Sequence, residues 1–336
     1  MKNLIYSVLN LDKATLGPKT RISLFIKEFA KNNDLVIEGK NKIRKSLKAP
    51  DLKVVYVESA TNRIGWKDVF SLIILKRKSK KMIVFIRDIY IEVFPEQYKG
   101  FRKKITYWAN RFSYWFLTYI AGELVFPTVQ MGDFFYRKNT RFPKRKYGAL
   151  PPATNRKTVS DYLPDFTKKT GFLYLGSVSY KFSGFENFIR FSERYKDEFN
   201  FFVLSKDKNI EKYYHHRHIR FDRADFDQIM HYIRQNNIAF GFHSRPRNIY
   251  DDITFPLKVL DFINFGLPFV TARHKPLIDL LSDDYPLYCQ ITEPDEIYKI
   301  IAQYKELESY QKTVQELDKI AQKNTYAERY QQITKI

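Results

Sequence analysis

Short runs of branched and aliphatic residues alternate along this chain with longer stretches whose apolar positions recur every three or four residues. Residues 4–9, 35–38, 54–57 and 82–86 read as strands, brief and rich in Val, Ile and Leu. The helical spacing falls near 21–31 and over a long stretch from about 96 to 119, which leads into a strand at 124–126. The basic tract KRKSKK (76–81) reads as a surface turn between elements. A second series opens with a strand at 172–175 and continues through a helix at 185–195 and strands at 201–204 and 238–242. Strands alternating with helices imply parallel sheets that hold ligands at the carboxyl ends of their strands. Residues 148–168 concentrate proline and polar side chains and make the best linker, and the last 40 residues are helical and polar. No solenoid repeat is present.

One segment carries more information than the rest. In ITFPLKVLDFINFGLPFVTA (253–272), Pro256 suits the first turn of a helix, where its missing N–H costs nothing. Leu257, Leu260, Phe262 and Ile263 follow at helical spacing, with Lys258 and Asp261 three apart on neighbouring positions. Gly266 reads as the C-terminal cap, Pro268 as the stop, and Phe269-Val270-Thr271 as a short buried strand. On its own the pattern fits an ordinary helix of an α/β sheet.

This segment resembles the donor-site helix of nucleotide-sugar glycosyltransferases with the GT-B fold, of the family-4-like type, whose pattern is roughly P-x-K-x-x-E-x-x-x-x-G-x-P. Pro256, Lys258, Asp261, Gly266 and Pro268 stand at those places. The resemblance implies that Asp261 binds the ribose hydroxyls and that the helix N-terminus faces the diphosphate. Asp261 replaces the usual Glu, and the partner acid of the family's E-x7-E pattern falls on Ile253, with Asp251 and Asp252 as nearby substitutes. LYLGSVSYKFSGFENFIRF (173–191) is similar to the first strand–loop–helix of the family's C-terminal domain. Gly176 and Lys181 match there, Ser177 stands where an arginine is common, and Arg245 or Arg247 is placed to supply the missing positive charge. Lys181 and Arg245 read equally well as solvated surface cations. In the N-terminal half, Arg87 and Asp88 follow a strand where relatives carry cleft residues. Asp88 either orients the acceptor and helps cationic charge develop at the anomeric carbon or caps a turn. Gly17 matches the family's flexible glycine loop near the donor phosphates, FPTVQM (126–131) its F-P-S-x-x-M, and NTYAERYQQI its terminal crossing helix.

The resemblance therefore implies a GT-B fold, two Rossmann-like α/β domains facing each other across a cleft. Its expected boundaries are an acceptor-binding domain at 1–150, a linker at 151–168, a donor domain at 169–320, and a terminal helix at 321–336 returning to the first domain. It implies a hexosyltransferase-type enzyme, retaining and metal-independent, that moves a sugar from a UDP- or GDP-linked donor to a saccharide, lipid-linked, in cell-surface polysaccharide or glycan synthesis. Domain closure would exclude water and limit donor hydrolysis. Beyond that co-substrate no cofactor is expected.

Composition narrows the alternatives. The 336 residues are enough for two domains with full cores, and 44% hydrophobic with 17% aromatic content excludes a disordered chain. No apolar run approaches the roughly 20 residues of a membrane helix, and residues 3–10 are too short and polar-flanked for a secretory signal, so the expected location is cytoplasmic. A single Cys289 leaves no internal disulfide, and no zinc-type spacing appears. The formal net charge of +21 is uneven: residues 1–150 hold 31 Lys/Arg against 12 Asp/Glu, and residues 151–336 hold 27 against 25. Such a field attracts polyanions or anionic membranes. In FRKKITYWANRFSYWFLTY (101–119), Trp108, Phe112, Trp115, Phe116 and Tyr119 accompany Arg102, Lys103, Lys104 and Arg111. Aromatics beside cations suit the inner face of a membrane and its lipid-linked acceptors, or else a core face with a basic outer side. Nucleic acid is disfavoured because no RRM, KH or zinc-finger signature is present. Two other readings stand: a non-catalytic GT-B relative serving a partner subunit, suggested by Ile253, and a basic nucleic-acid-binding protein.

Overall fold

A computed structural model describes residues 1–11, 16–59, 63–154, 161–180, 182–304 and 306–335, with the side chains of 16–18 outside that set. The chain divides into two units. The first comprises Met1–Ala153, Ile253–Phe255 and Asn324–Ile336, the second Thr154–Asp252 and Pro256–Lys323.

The first unit runs β1 (Lys2–Ser7), α1 (Leu16–Lys31), β2 (Leu35–Ile37), α2 (Lys42–Lys48), β3 (Leu52–Ser59), α3 (Trp66–Lys78), β4 (Ser79–Ile86) and α4 (Tyr90–Val93). It continues through a 3-10 turn (Pro95–Tyr98), α5 (Phe101–Ile120), β5 (Glu123–Phe126), α6 (Val129–Lys138) and β6 (Lys146–Ala149). All six strands are parallel in the order β2-β1-β3-β4-β5-β6. Period-two alternation sends Leu4, Tyr6, Val55, Val57, Met82 and Val84 into one core and Ile5, Val54, Tyr56, Ile83 and Phe85 into the other. A parallel sheet buried on both faces needs such near-continuous apolar strands. The second of these cores is closed by Phe25 and Phe29 of α1 together with Tyr326 and Ile333 near the chain's end.

Two expectations change here. The single helix over 96–119 is broken, because Gly100 takes φ 95 and separates the 3-10 turn from α5. KRKSKK is not a turn: α3 runs to Lys78 and β4 starts at Ser79, paired to Leu52. Strand pairing overrides the local charge, and Lys81 meets Glu123 at 2.7 Å.

The second unit contains β7 (Gly171–Leu175), α7 (Phe185–Arg194), β8 (Asn200–Leu204), β9 (Ile219–Asp222), α8 (Phe226–Gln235) and β10 (Ile238–Phe242). Next come α9 (Ile249–Ile253), α10 (Leu257–Phe265), β11 (Phe269–Val270), α11 (Lys275–Leu281), α12 (Pro294–Gln303) and α13 (Leu307–Lys323). The last helix, α14 (Tyr326–Thr334), packs on α1 in the first unit. The parallel order is β11-β10-β7-β8-β9. Phe172 anchors this core, with Phe191, Phe199 and Phe240 at 5.0–5.3 Å between ring centres. Connections leave β7 towards β8 on one side and β10 towards β11 on the other. The strand order therefore reverses between β7 and β10, which opens a crevice at their carboxyl ends.

Candidate functional site

The loops after β7 and β10 flank that crevice, and α10 brings its first turn to it. Pro256 is the N-cap of α10 and Gly266 its left-handed C-cap, φ 60. Lys258, one residue into the helix, lies across Gly176. Its Nζ is 3.4 Å from the Tyr174 hydroxyl and 4.7 Å from the Tyr174 ring centre. Gly176 has φ +107, and a Cβ there would stand 2.3 Å from Lys258 Cε. Both the backbone and the space demand glycine.

One turn further along, Asp261 lines a cavity of about 360 Å³ together with Gly176, Ser177, Asp207 and Ile229. Burial pushes the Asp261 carboxyl up to about 7, with Lys258 opposing the shift. Burial, reinforced by Arg245, pulls the Lys258 ammonium down to about 7. Each group sits in surroundings that disfavour its charge, a state that a bound ligand of opposite charge or matching hydrogen bonds relieves.

Ser177, at the place of the expected arginine, turns to Asp207. That carboxylate accepts from Ser177 Oγ at 2.7 Å, from Ser179 N at 3.0 Å and from Ser179 Oγ. These bonds, Ser179 foremost, hold the Asp207 carboxyl well below the usual carboxylate range. Asp207 thereby fixes the loop after β7. The sequence reading missed it, although an acid just past the end of strand β8 is a recognisable signal.

On the β10 side, Arg245 Nη1 meets Asp251 Oδ1 at 2.7 Å, and Asp251 is buried. The Arg245 guanidinium also stacks over Tyr180 at 5.5 Å. Arg247 pairs with Asp252 at 3.0 Å, and Asp252 also accepts the Lys275 N–H at the start of α11 at 3.3 Å. Two buried histidines, also unforeseen, support this loop. His243 Nδ1 lies 2.8 Å from Thr271 Oγ1, and His274 Nε2 lies 3.2 Å from the Arg245 carbonyl. Burial, with His274 and Arg245 adding to it, holds the His243 pKa far below that of an ordinary imidazole.

The structure thus brings Gly176, Lys258 and Asp261 together and sets the loop carrying Arg245 beside them. Asp252 is engaged by Arg247 and α11, and Lys181 lies outside the described residues. Ile253 is buried in the first unit's core, where its carbonyl accepts from Thr128 Oγ1 at 2.5 Å. Asp88 stands two residues past β4, its backbone carbonyl bonded by Tyr114 at 2.8 Å. Gly17, expected in a loop, falls in the first turn of α1, because the helix already begins at Leu16. Its surroundings lie outside the described residues. Arg102, Lys103, Lys104 and Trp108 are exposed on α5. Among the described residues, no group of three His, Cys, Asp or Glu is placed to hold a metal ion. No described helix is long and apolar enough to cross a membrane.

Two parallel sheets of this topology, each with its helices on both faces, define the GT-B fold of the glycosyltransferases. No protein-family model matches the chain, and no curated protein matches it in sequence. Solved structures do share the fold. An α-glucosyltransferase in complex with UDP and a 13-mer DNA containing an HMU base matches with a TM-score of 0.63 at 10% identity, covering 97% of this chain and 96% of that one. A structure described as trehalose-6-phosphate from E. coli bound with UDP-2-fluoro glucose gives 0.62 at 10%, covering 100% and 99%. The GtfA/B complex gives 0.58 at 13%, and there this chain covers 87% of itself and spans only 58% of the other chain's length.

Proposed function

We propose that this protein is a glycosyltransferase that moves a sugar from a nucleotide diphosphate sugar to a saccharide acceptor. The observation that carries the reading is Lys258 laid over Gly176, one helical turn from Asp261, at the switch point of the second sheet. In this reading the cavity receives the nucleoside, with Asp261 accepting from the ribose hydroxyls. The diphosphate lies over Gly176, where a missing Cβ lets it approach the backbone. Lys258 and the free N–H groups of α10 face its charge. Transfer breaks the bond from the anomeric carbon to the diphosphate oxygen and forms a bond to an acceptor hydroxyl, which loses its proton. Negative charge grows on the leaving diphosphate, and cations already in place stabilise it. Asp88 in the first unit is the group assigned to the acceptor and to the cationic charge at the anomeric carbon. Lys181 and Arg245 join the diphosphate grip, and Asp252 steadies Arg247 beside it.

The finer features of the proposal are a UDP- or GDP-linked donor, a retaining and metal-independent reaction, and a lipid-linked acceptor in glycan synthesis at the inner face of the membrane. UDP in two of the structures of like fold supports the nucleotide, and the basic first half of the chain supports an anionic setting. A second reading, with nucleic acid as the acceptor, is favoured by that same charge and by the DNA bound in one structural neighbour. Thermal-shift measurements with UDP, GDP, CMP, dTDP and their sugars test the donor. Stabilisation by one nucleotide and its sugar is the expected result, followed by sugar release or transfer on incubation. A chain that none of them stabilises is not a nucleotide-sugar transferase, and one that binds without turnover is a non-catalytic relative.

A further inference from the structure

Helix α5 is apolar on two sides. Asn110, Ser113, Tyr114, Leu117 and Ile120 face inward and are buried. Phe101, Ile105, Trp108, Phe112, Trp115 and Tyr119, spaced alternately four and three apart, are 41–81% exposed. At 3.6 residues per turn this stripe points roughly 160° away from the buried face and runs about 30 Å along the helix. The rings support one another, with Phe112 and Trp115 at 5.9 Å and Trp115 and Tyr119 at 5.7 Å. The neighbouring α3 exposes Trp66 at 63% and Phe70 at 56%. Aromatic side chains gain most from leaving water, so an exposed row of this length is unusual. All three tryptophans of the chain belong to this set.

Charge says what covers the stripe. Helix α5 has no acidic residue, and Arg102, Lys103 and Lys104 stand exposed at its start. A second copy would bring the same cations and the same surplus of Lys/Arg over residues 1–150 against them. An anionic bilayer offers the opposite: headgroups for the cations and an interface where aromatic rings settle. We propose that the outer face of α5, with Trp66 and Phe70 of α3, docks on an anionic lipid bilayer with α5 lying in the plane of the interface. This deepens the membrane setting proposed above by assigning it a surface, and it does not rest on the transfer reaction. Vesicle binding needs neither donor nor acceptor, so either proposal can fail without the other.

The test titrates the full chain with phosphatidylcholine vesicles, with or without phosphatidylglycerol, and follows tryptophan emission and co-sedimentation. Every indole lies on the proposed surface, so docking is expected to shift the emission to shorter wavelength with the anionic vesicles only. Salt should reverse the shift. Replacing Arg102, Lys103 and Lys104 together by Glu should weaken partitioning at least about tenfold. Trp108→Ser with Phe112→Ser should do the same while the circular dichroism and nucleotide binding stay as in the parent. If the serine variant fails to fold, the charge variant and the parent titration decide. The proposal is overturned by an emission unchanged by anionic vesicles, or by equal binding to neutral ones. It is also overturned by a lipid-independent blue shift that tracks a concentration-dependent dimer, or by a salt-sensitive response to single-stranded DNA that vesicles do not reproduce.

Discussion

At the scale of single residues, the site is a small set of groups held against their preferred charge. Lys258 titrates in the fold near 7, well below an ordinary lysine, so above neutrality much of it is uncharged. A diphosphate favours the protonated form. Binding therefore takes up a proton, and UDP affinity is expected to rise as pH falls from about 8.5 to 7. Uridine affinity should lack that rise, because no phosphate meets the ammonium. Calorimetry in buffers of different ionisation enthalpy measures the net proton exchange, and Lys258→Met should abolish the uptake, leaving only the proton that Asp261 releases. Asp261→Ala removes a hydrogen bond to a charged group worth roughly 1.5–3 kcal/mol, so nucleotide affinity should fall about tenfold or more in a folded protein. Unchanged affinity would remove Asp261 from the ribose. Gly176→Ala places a Cβ on Lys258 at a φ that other residues avoid, at a cost of roughly 1–3 kcal/mol. The variant should bind UDP poorly and melt earlier. Parent-like melting and binding would show that the loop relaxes freely.

At the scale of elements, the loop after β7 depends on the acid that follows β8. Asp207→Asn keeps the shape but weakens the acceptor of the Ser177 and Ser179 bonds. Limited proteolysis should then cut near 176–180 faster than in the parent, and both UDP and uridine should bind less well because the loop walls the cavity. A loss confined to UDP would place Asp207 in the phosphate grip instead. Elements were unevenly legible. The strand at Ile238–Phe242 and the helix ending at Gly266 could be read because local signals, a short apolar run and a glycine cap, agree with the tertiary outcome. The start of β4 could not. Three of its first residues are Ser79, Lys80 and Lys81, which look like a loop, and only pairing with β3 makes them a strand. Helix α5 posed the reverse difficulty. Its periodicity is clear, but both of its sides are apolar, and sequence cannot say which one meets the core.

At the scale of the whole molecule, each unit has its own core, and α14 completes the first of them although it lies at the far end of the chain. Tyr326 meets Phe25 edge-on at 5.1 Å, and Tyr330 meets Phe29 at 5.0 Å. Tyr326→Ala is expected to destabilise the protein by roughly 3–5 kcal/mol, read as a lower melting temperature. UDP affinity, measured where the variant remains folded, should be unchanged, since the cavity proposed for the nucleotide is lined by residues of the second unit. A fall in affinity would tie α14 to the proposed donor site.

The amino-acid order alone determined the alternation of strand and helix, the capped helix at 257–265 and the concentration of positive charge in the first 150 residues. These are local or additive properties, set by neighbours along the chain. The tertiary structure decided the rest. It laid Lys258 on Gly176, 82 positions apart in a chain that places them side by side only because β7 and α10 meet at a reversal of strand order. It gave Ser177 to Asp207, Arg245 to Asp251 and Ile253 to a core. It also turned an aromatic stripe of α5 outward. Each of these depends on which surfaces are buried against which, a property of long-range packing that no window of sequence contains.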